Sequence, residues 1–252
     1  MVKDSIRIER LESVESTSTW LRTHRADAPN GTVVVTDCQT AGRGQRGNSW
    51  EAEPGKNLTF SILTRPHPPV PAAEQYALSE AVATAIVDTL DNLVPDFSLL
   101  EIKWPNDIYY GNRKLAGILI ENSLTGASVT RSIAGVGINI NQDIFTSDAP
   151  NPVSLKQITG NTYPLEPLLE DICLAIVRNI RRIGDPDERV AIGKFYRSRL
   201  WRRNGVHPYM FPGGERFNAS IIGVAPTGHL HLRHEDGTES IHAFKEVIQI
   251  VD

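Results

Sequence analysis

The chain has 252 residues, a net charge of −4, 40% hydrophobic and 22% charged residues, which admits one large domain, or one domain with a small appendage, whose core needs no disulfide or metal staples. The negative balance argues against general nucleic-acid binding, which calls for a basic face. Cys38 and Cys173 are too few for a disulfide framework, and with no apolar signal-peptide core and no apolar run near the roughly 20 residues that span a bilayer, a cytoplasmic protein away from membranes is expected.

Ser16-Thr17-Ser18-Thr19 precedes Trp20-Leu21, and hydroxyls there cap a short helix by accepting from its first N–H groups. Three apolar, β-branched stretches, residues 32–35, 58–63 and 99–104, predict strands. Between the last two, Leu78, Val82, Ile86 and Leu90 recur every fourth residue and line one face of a helix. Residues 114–121 and 132–141 predict two more strands, joined through Thr125-Gly126 as a hairpin or meander. The stretch 142–163 is rich in Pro, Asn, Asp and Ser and predicts a long loop with little regular structure, of the kind that serves as a lid. Leu165, Leu169, Ile172, Ile176, Ile180 and Ile183 predict a helix stopped by Gly184-Asp185-Pro186, and another is expected over 188–203. After Asn204-Gly205, short apolar segments alternate with turns at Pro212-Gly213-Gly214, Pro226-Thr227-Gly228 and Glu235-Asp236-Gly237. That is the pattern of a small antiparallel β-unit of about 45 residues, so the chain divides into residues 1–203 and 204–252.

The most informative segment is Gly42-Arg43-Gly44-Gln45-Arg46-Gly47, closed by Trp50. Glycine lets backbone N–H groups turn toward an anion with no Cβ in the way. Arginine adds a permanent forked charge that matches carboxylate or phosphate oxygens. The loop follows a predicted strand, which gives it a rigid base. Solvated arginines on a surface turn are the plainer alternative.

Three further blocks accompany it: Lys103-Trp104-Pro105-Asn106-Asp107, then Lys114-Leu115-Ala116-Gly117-Ile118-Leu119-Ile120-Glu121, then Gly135-Val136-Gly137-Ile138-Asn139. In this order and spacing the four blocks resemble the biotin–protein ligase family, clearly over residues 10–141 and in outline over the C-terminal β-unit. The resemblance implies an α+β fold, a mixed sheet flanked by helices and similar to class II aminoacyl-tRNA synthetases, followed by a small SH3-like β-barrel. It implies a reaction in two steps. Biotin's carboxylate attacks the α-phosphorus of ATP, giving biotinoyl-5'-AMP and pyrophosphate. A lysine of a biotin carboxyl carrier protein or domain of a carboxylase then attacks the mixed anhydride and releases AMP.

The resemblance also implies roles. Ser16 and Thr17, with Gln39, match groups that bind the ureido ring of biotin, whose donors and acceptor all need partners; a plain helix cap is the alternative for the first two. Arg43 matches the loop arginine that closes over biotin and phosphate, with Gly42, Gly44 and Trp50 beside the ligand and Gln45 and Arg46 toward the adenylate. Lys114 matches the lysine between the biotin carboxylate and the α-phosphate, an electrostatic clamp rather than a base. Asp107 is the carboxylate for helping the incoming amine lose its proton, or for holding Mg²⁺, with a turn-capping role as its alternative. Asn106 and Asn139 fall on the nucleotide side, Asn139 matching the residue that reads adenine, while Gly117 and Gly137 let ligand approach the backbone. Arg43, Lys114 and Mg²⁺ would neutralise like charges in the first step.

Two departures from the family pattern carry expectations. Many members have a second arginine where Gln45 stands, so this chain is expected to retain the intermediate less tightly. The motifs begin within the first twenty residues, which leaves no room for a helix-turn-helix domain, and a ligase without DNA binding is expected. Monomer and homodimer both stay open. A lipoate–protein ligase and a non-catalytic biotin or nucleotide sensor are the rival readings. The cluster His229, His231 and His234 has no acidic or cysteine partner at zinc spacing. Arg178, Arg181 and Arg182, then Arg197, Arg199, Arg202 and Arg203, read as solvated faces or as a docking patch for an acidic carrier.

Overall fold

The computed structural model describes residues 4–44, 50–146 and 151–251. Gln45, Arg46 and Gly47, half of the glycine-arginine loop 42–47, lie outside them. Thirteen strands and five α-helices run in the order β1 (Arg7–Val14), α1 (Thr17–His24), β2 (Thr32–Gln39), β3 (Leu58–Thr64), β4 (Val70–Pro71), α2 (Tyr76–Leu90), β5 (Leu100–Lys103), β6 (Asp107–Tyr110), β7 (Arg113–Thr125), β8 (Ser128–Ile138), α3 (Leu155–Thr159), α4 (Leu165–Arg182), α5 (Pro186–Ser198), β9 (His207–Met210), β10 (Arg216–Val224), β11 (Leu230–His234), β12 (Glu239–His242) and β13 (Ile248–Gln249) among the described residues.

The first sheet has the order β1-β2-β3-β8-β7-β6-β5, with β4 attached to β8. β1 and β2 are parallel and the other pairs antiparallel, so the sheet is mixed, as expected. The second sheet is antiparallel, ordered β12-β11-β10-β9-β13, and forms the small C-terminal β-unit. Apolar side chains of this unit, among them Tyr209, Leu230, Leu232 and Val247, continue the core of the first sheet.

Alternation along the strands separates the two faces of the first sheet. Val33, Val35, Phe60, Ile62, Val136 and Ile138 join the large core beneath α2 and α4, while Val34, Leu63 and Ile133 meet Leu21 of α1 on the other face. On this second face β3, β8 and β7 carry small or hydroxyl residues next to α1. Thr59 pairs with Gly137 and Gly137 with Gly117, while Ser61 pairs with Gly135 and Gly135 with Leu119. The cavity opens over these positions.

Several elements differ from expectation. β1 was not foreseen: its mixed pattern of exposed and half-buried residues is that of an edge strand beside one partner. The expected strand over 99–104 contracts to β5, and the four-residue β6 follows at once. The stretch 142–163 is less irregular than its composition suggests. Ser154 and Gln157 form a capping box that starts α3, and Val153 N–H donates to the Lys114 carbonyl at 2.9 Å, which packs this segment onto the core. α5 starts at Pro186 because Asp185 accepts from the N–H groups of Asp187 and Glu188, and it ends at Ser198 rather than near 203.

Candidate active site

A cavity of about 310 Å³ lies over the α1 face of the sheet. At one end α1 presents its N-terminus. Ser16 caps the helix, accepting from Thr19 N–H at 3.4 Å, and also lines the cavity, so capping does not take it out of the site. Gln39 Oε1 accepts from Thr17 N–H at 2.9 Å and from Thr17 Oγ1 at 3.2 Å. Thr17 Oγ1 lies 2.8 Å from Ser61 Oγ, and Ser16 Oγ 3.2 Å from Ser18 Oγ. Thr17, Gln39 and Ser61 form a neutral network here, and Ser18 joins it to Arg43.

Lys114 and Asp107 lie toward the other end, while Arg43 sits beside α1. Lys114 Nζ lies 2.8 Å from Asp107 Oδ2 and 5.9 Å from the centre of the Trp50 ring. Arg43 Nη2 lies 3.0 Å from both carboxylate oxygens of Glu121 and donates to Ser18 Oγ at 3.3 Å. Glu121 also accepts from Arg22 at 2.9 Å. Lys103 lines the cavity and donates to the Tyr109 hydroxyl at 3.3 Å, against the rings of Tyr109 and Trp201. Burial pushes its ammonium down to about 8, Asp107 opposing the fall.

Trp50 covers the floor between the two ends. A Cβ built on Gly137 would lie 2.2 Å from the indole, and one on Gly117 would lie 3.2 Å from it. The two glycines therefore make room for this ring here, rather than for a ligand alone. Trp50 Nε1 is buried with no hydrogen-bond partner among the described residues.

Residues 10–139, just over half of the chain, match the model of the biotin/lipoate A/B protein ligase family. The chain belongs to this family. The bifunctional ligase/repressor BirA of Bacillus spizizenii is 34% identical over 86% of this chain and 66% of its own length, so the chain spans just under two thirds of that relative. The biotin–[acetyl-CoA-carboxylase] ligase of Paracoccus denitrificans is 35% identical over 56% of this chain and 59% of its own. The solved biotin protein ligase from Aquifex aeolicus in complex with biotin and ATP aligns over 96% of this chain and 99% of its own, with a TM-score of 0.76 and 22% identity. That is a likeness of fold.

Within this ligase-family chain, the cavity lining brings together Ser16, Thr17, Gln39, Arg43, Gly44, Trp50, Asn106, Asp107, Lys114, Gly117 and Gly137. Gly42 and Asn139 stand outside it. A Cβ on Gly42 would meet the Trp50 carbonyl oxygen at 2.2 Å, so this glycine serves the loop's closure. Asn139 Nδ2 donates to the Val153 carbonyl at 3.2 Å, stapling the following segment, and its Oδ1 is buried with no hydrogen-bond partner among the described residues.

Other lining residues escaped the sequence reading. Thr59 and Ser61 were legible in principle, as hydroxyls alternating through the otherwise apolar run of β3. Lys103 stood inside a quoted block without a role. Phe244, Lys245, Val247, Ile248 and Gln249 come from the C-terminal unit, and no local signal in the sequence marks them. They reach the cavity because Trp104 anchors that unit, donating from Nε1 to the Gly228 carbonyl at 2.9 Å. The arginine clusters are largely engaged: Arg181 pairs with Asp4, Arg182 with Glu188, Arg197 with Glu80 and Arg199 with Asp91. No group of His, Cys, Asp or Glu suited to a metal occurs among the described residues. No described helix is long and apolar enough to cross a membrane.

Proposed function

We propose that this protein attaches biotin to a specific lysine of a biotin carboxyl carrier protein or domain, using ATP and passing through biotinoyl-5'-AMP. The observation that carries the reading is the Lys114–Asp107 pair, 2.8 Å apart, in one cavity with the hydroxyls and amide of Ser16, Thr17, Ser61 and Gln39 and with Arg43. A carboxylic acid whose remote ring is a urea fits such a cavity. Thr17, Gln39 and Ser61, with Ser16, supply hydroxyls and an amide for the ureido group. Lys114 and Arg43 meet the carboxylate and the α-phosphate, where charge builds up as the anhydride forms. Asp107 then takes the proton of the incoming lysine, Lys114 meanwhile holding AMP. Asn106 serves the nucleotide side, where the family resemblance also assigns Gln45 and Arg46, and Asn139 acts there through the segment it staples.

Asp107 is the one carboxylate in the cavity lining among the described residues. Its Oδ2 already meets Lys114. That donor set suits a Mg²⁺ brought in on the triphosphate, which keeps several waters and takes one or two carboxylates beside phosphate. The division at residue 204 into a ligase domain and a C-terminal β domain, a cytoplasmic setting and a monomeric or homodimeric state go with this reading.

The test is biotin-dependent exchange of labelled pyrophosphate into ATP, with lipoate and octanoate in parallel. Exchange with biotin alone is the expected result. Exchange only with a lipoyl-type acid would move the protein to that branch of the family, and biotin binding without exchange would make it a sensor.

A further inference from the structure

Two phenols packed behind the cavity are not used by the reaction above. Tyr76 opens α2 and Tyr196 lies in the last turns of α5, so they converge from different helices. Tyr76 Oη lies 2.7 Å from the Pro105 carbonyl oxygen and 2.7 Å from Tyr196 Oη, which is 2.9 Å from the same carbonyl. Three oxygens share two hydroxyl protons. With one proton per hydroxyl, the phenols can serve Pro105 together, or one can serve it while the other donates to its neighbour. If one hydroxyl is removed, the survivor still has Pro105 as its acceptor. Burial raises both phenols well above the ordinary tyrosine range, so both stay protonated donors.

The same turn is held on both flanks of Pro105. Trp104 Nε1 donates to the Gly228 carbonyl, and Asn106 Nδ2 to the Ile118 carbonyl. Gly228 has φ +89°, and a Cβ there would lie 2.5 Å from the Tyr76 ring, so the C-terminal unit closes directly onto the phenol pair. The next residue in the chain is Asp107. Neither phenol lines the cavity.

We propose that Tyr76 and Tyr196 are positioning residues, redundant donors to the Pro105 carbonyl that set the 104–107 turn and, through it, the aim of Asp107 toward Lys114. This rests on the assignment of Asp107 to the transfer step. The test compares Tyr76→Phe, Tyr196→Phe and the double variant in the full chain, at a temperature where each is folded by circular dichroism. Three quantities are read: biotin-dependent pyrophosphate exchange, transfer from pre-made biotinoyl-AMP to a carrier domain, and amide hydrogen exchange of the peptide spanning 104–107.

Each single variant is expected to slow transfer by about 3-fold or less, and the double by about 30-fold with KM for biotin within about 2-fold. Amide exchange at 106 and 107 should rise in the double. A double variant that transfers at the wild-type rate overturns the proposal, even if its amides exchange faster, since the phenols then serve stability alone. A single variant that loses as much as the double also overturns it. Should the double not fold, Tyr76→Phe is measured with and without Asp107→Ala: a phenol acting through Asp107 has no further effect on transfer once Asp107 is gone, and an equal loss in both backgrounds overturns the idea. A wild-type protein without pyrophosphate exchange would sink the functional reading instead, and amide exchange would still decide whether the phenols hold the turn.

Discussion

At one end of the cavity Thr17, Gln39 and Ser61 satisfy one another through neutral hydrogen bonds. At the other, Lys114 rests on Asp107, while Arg43, paired with Glu121, sits beside Ser18 of α1. The neutral end is held by a helix N-terminus and buried strand positions, with Ser61 fully buried, so a ligand there exchanges one set of short hydrogen bonds for another with little backbone movement. Lys114 and Arg43 are each held on a protein carboxylate. An anion that meets either cation must compete with its carboxylate partner.

The largest effects are expected at the two cations. Lys114→Ala should lower biotin-dependent pyrophosphate exchange by about 10³-fold and Arg43→Ala by about 10²-fold, with transfer from pre-made biotinoyl-AMP less affected. Asp107→Ala should show the reverse split, with transfer slowed by about 10²-fold and exchange kept within about 3-fold. Normal transfer by that variant would reduce Asp107 to a structural partner of Lys114.

At the neutral end, Thr17→Val keeps the shape and removes a hydroxyl, and steady-state kinetics should show KM for biotin raised by about 10-fold at nearly constant kcat. A fall in kcat instead would mean that the two ends are not separable.

Glu80 tests the scaffold under both ends. Burial lifts its carboxyl from 4.5 to about 7 against the opposing pull of Arg197. The folded state thus holds a proton that the unfolded chain has released, and the stability tied to that proton is present below pH 4.5 and lost as the pH rises through 7. Glu80→Gln removes this loss, on the order of 2–3 kcal/mol. Its melting temperature should therefore gain about 5 °C on the wild type between pH 5 and pH 8, and a constant difference across that window would refute the shift. The smallest effect is expected for Glu121→Gln, which loosens an ion pair with both partners partly exposed. Titration should give an ATP affinity changed by about 2-fold.

Much of the frame was legible because it depends on local periodicity. The alternation through β2 and β3, the four-residue rhythm of α2 and α4, and the turns of the C-terminal unit each bury one face. Edge strand β1 and the short β6 were not, since half-exposed or four-residue strands carry little periodic signal. The capping box at Ser154 and Gln157 was written in the sequence, but a composition rich in Pro and Asn obscured it.

By itself the sequence determined the family, the mixed sheet with its β-rich tail, and the residue types of the site, because the four motif blocks lie on strands and their ends. Tertiary structure alone decided that Trp50 lies on Gly117 and Gly137, that Asn139 faces the following segment instead of the cavity, that Phe244 to Gln249 come back to line it, and that two phenols from separate helices meet at Pro105. Each of these joins positions far apart in the chain, and no local pattern records a contact whose other half is contributed by a different element.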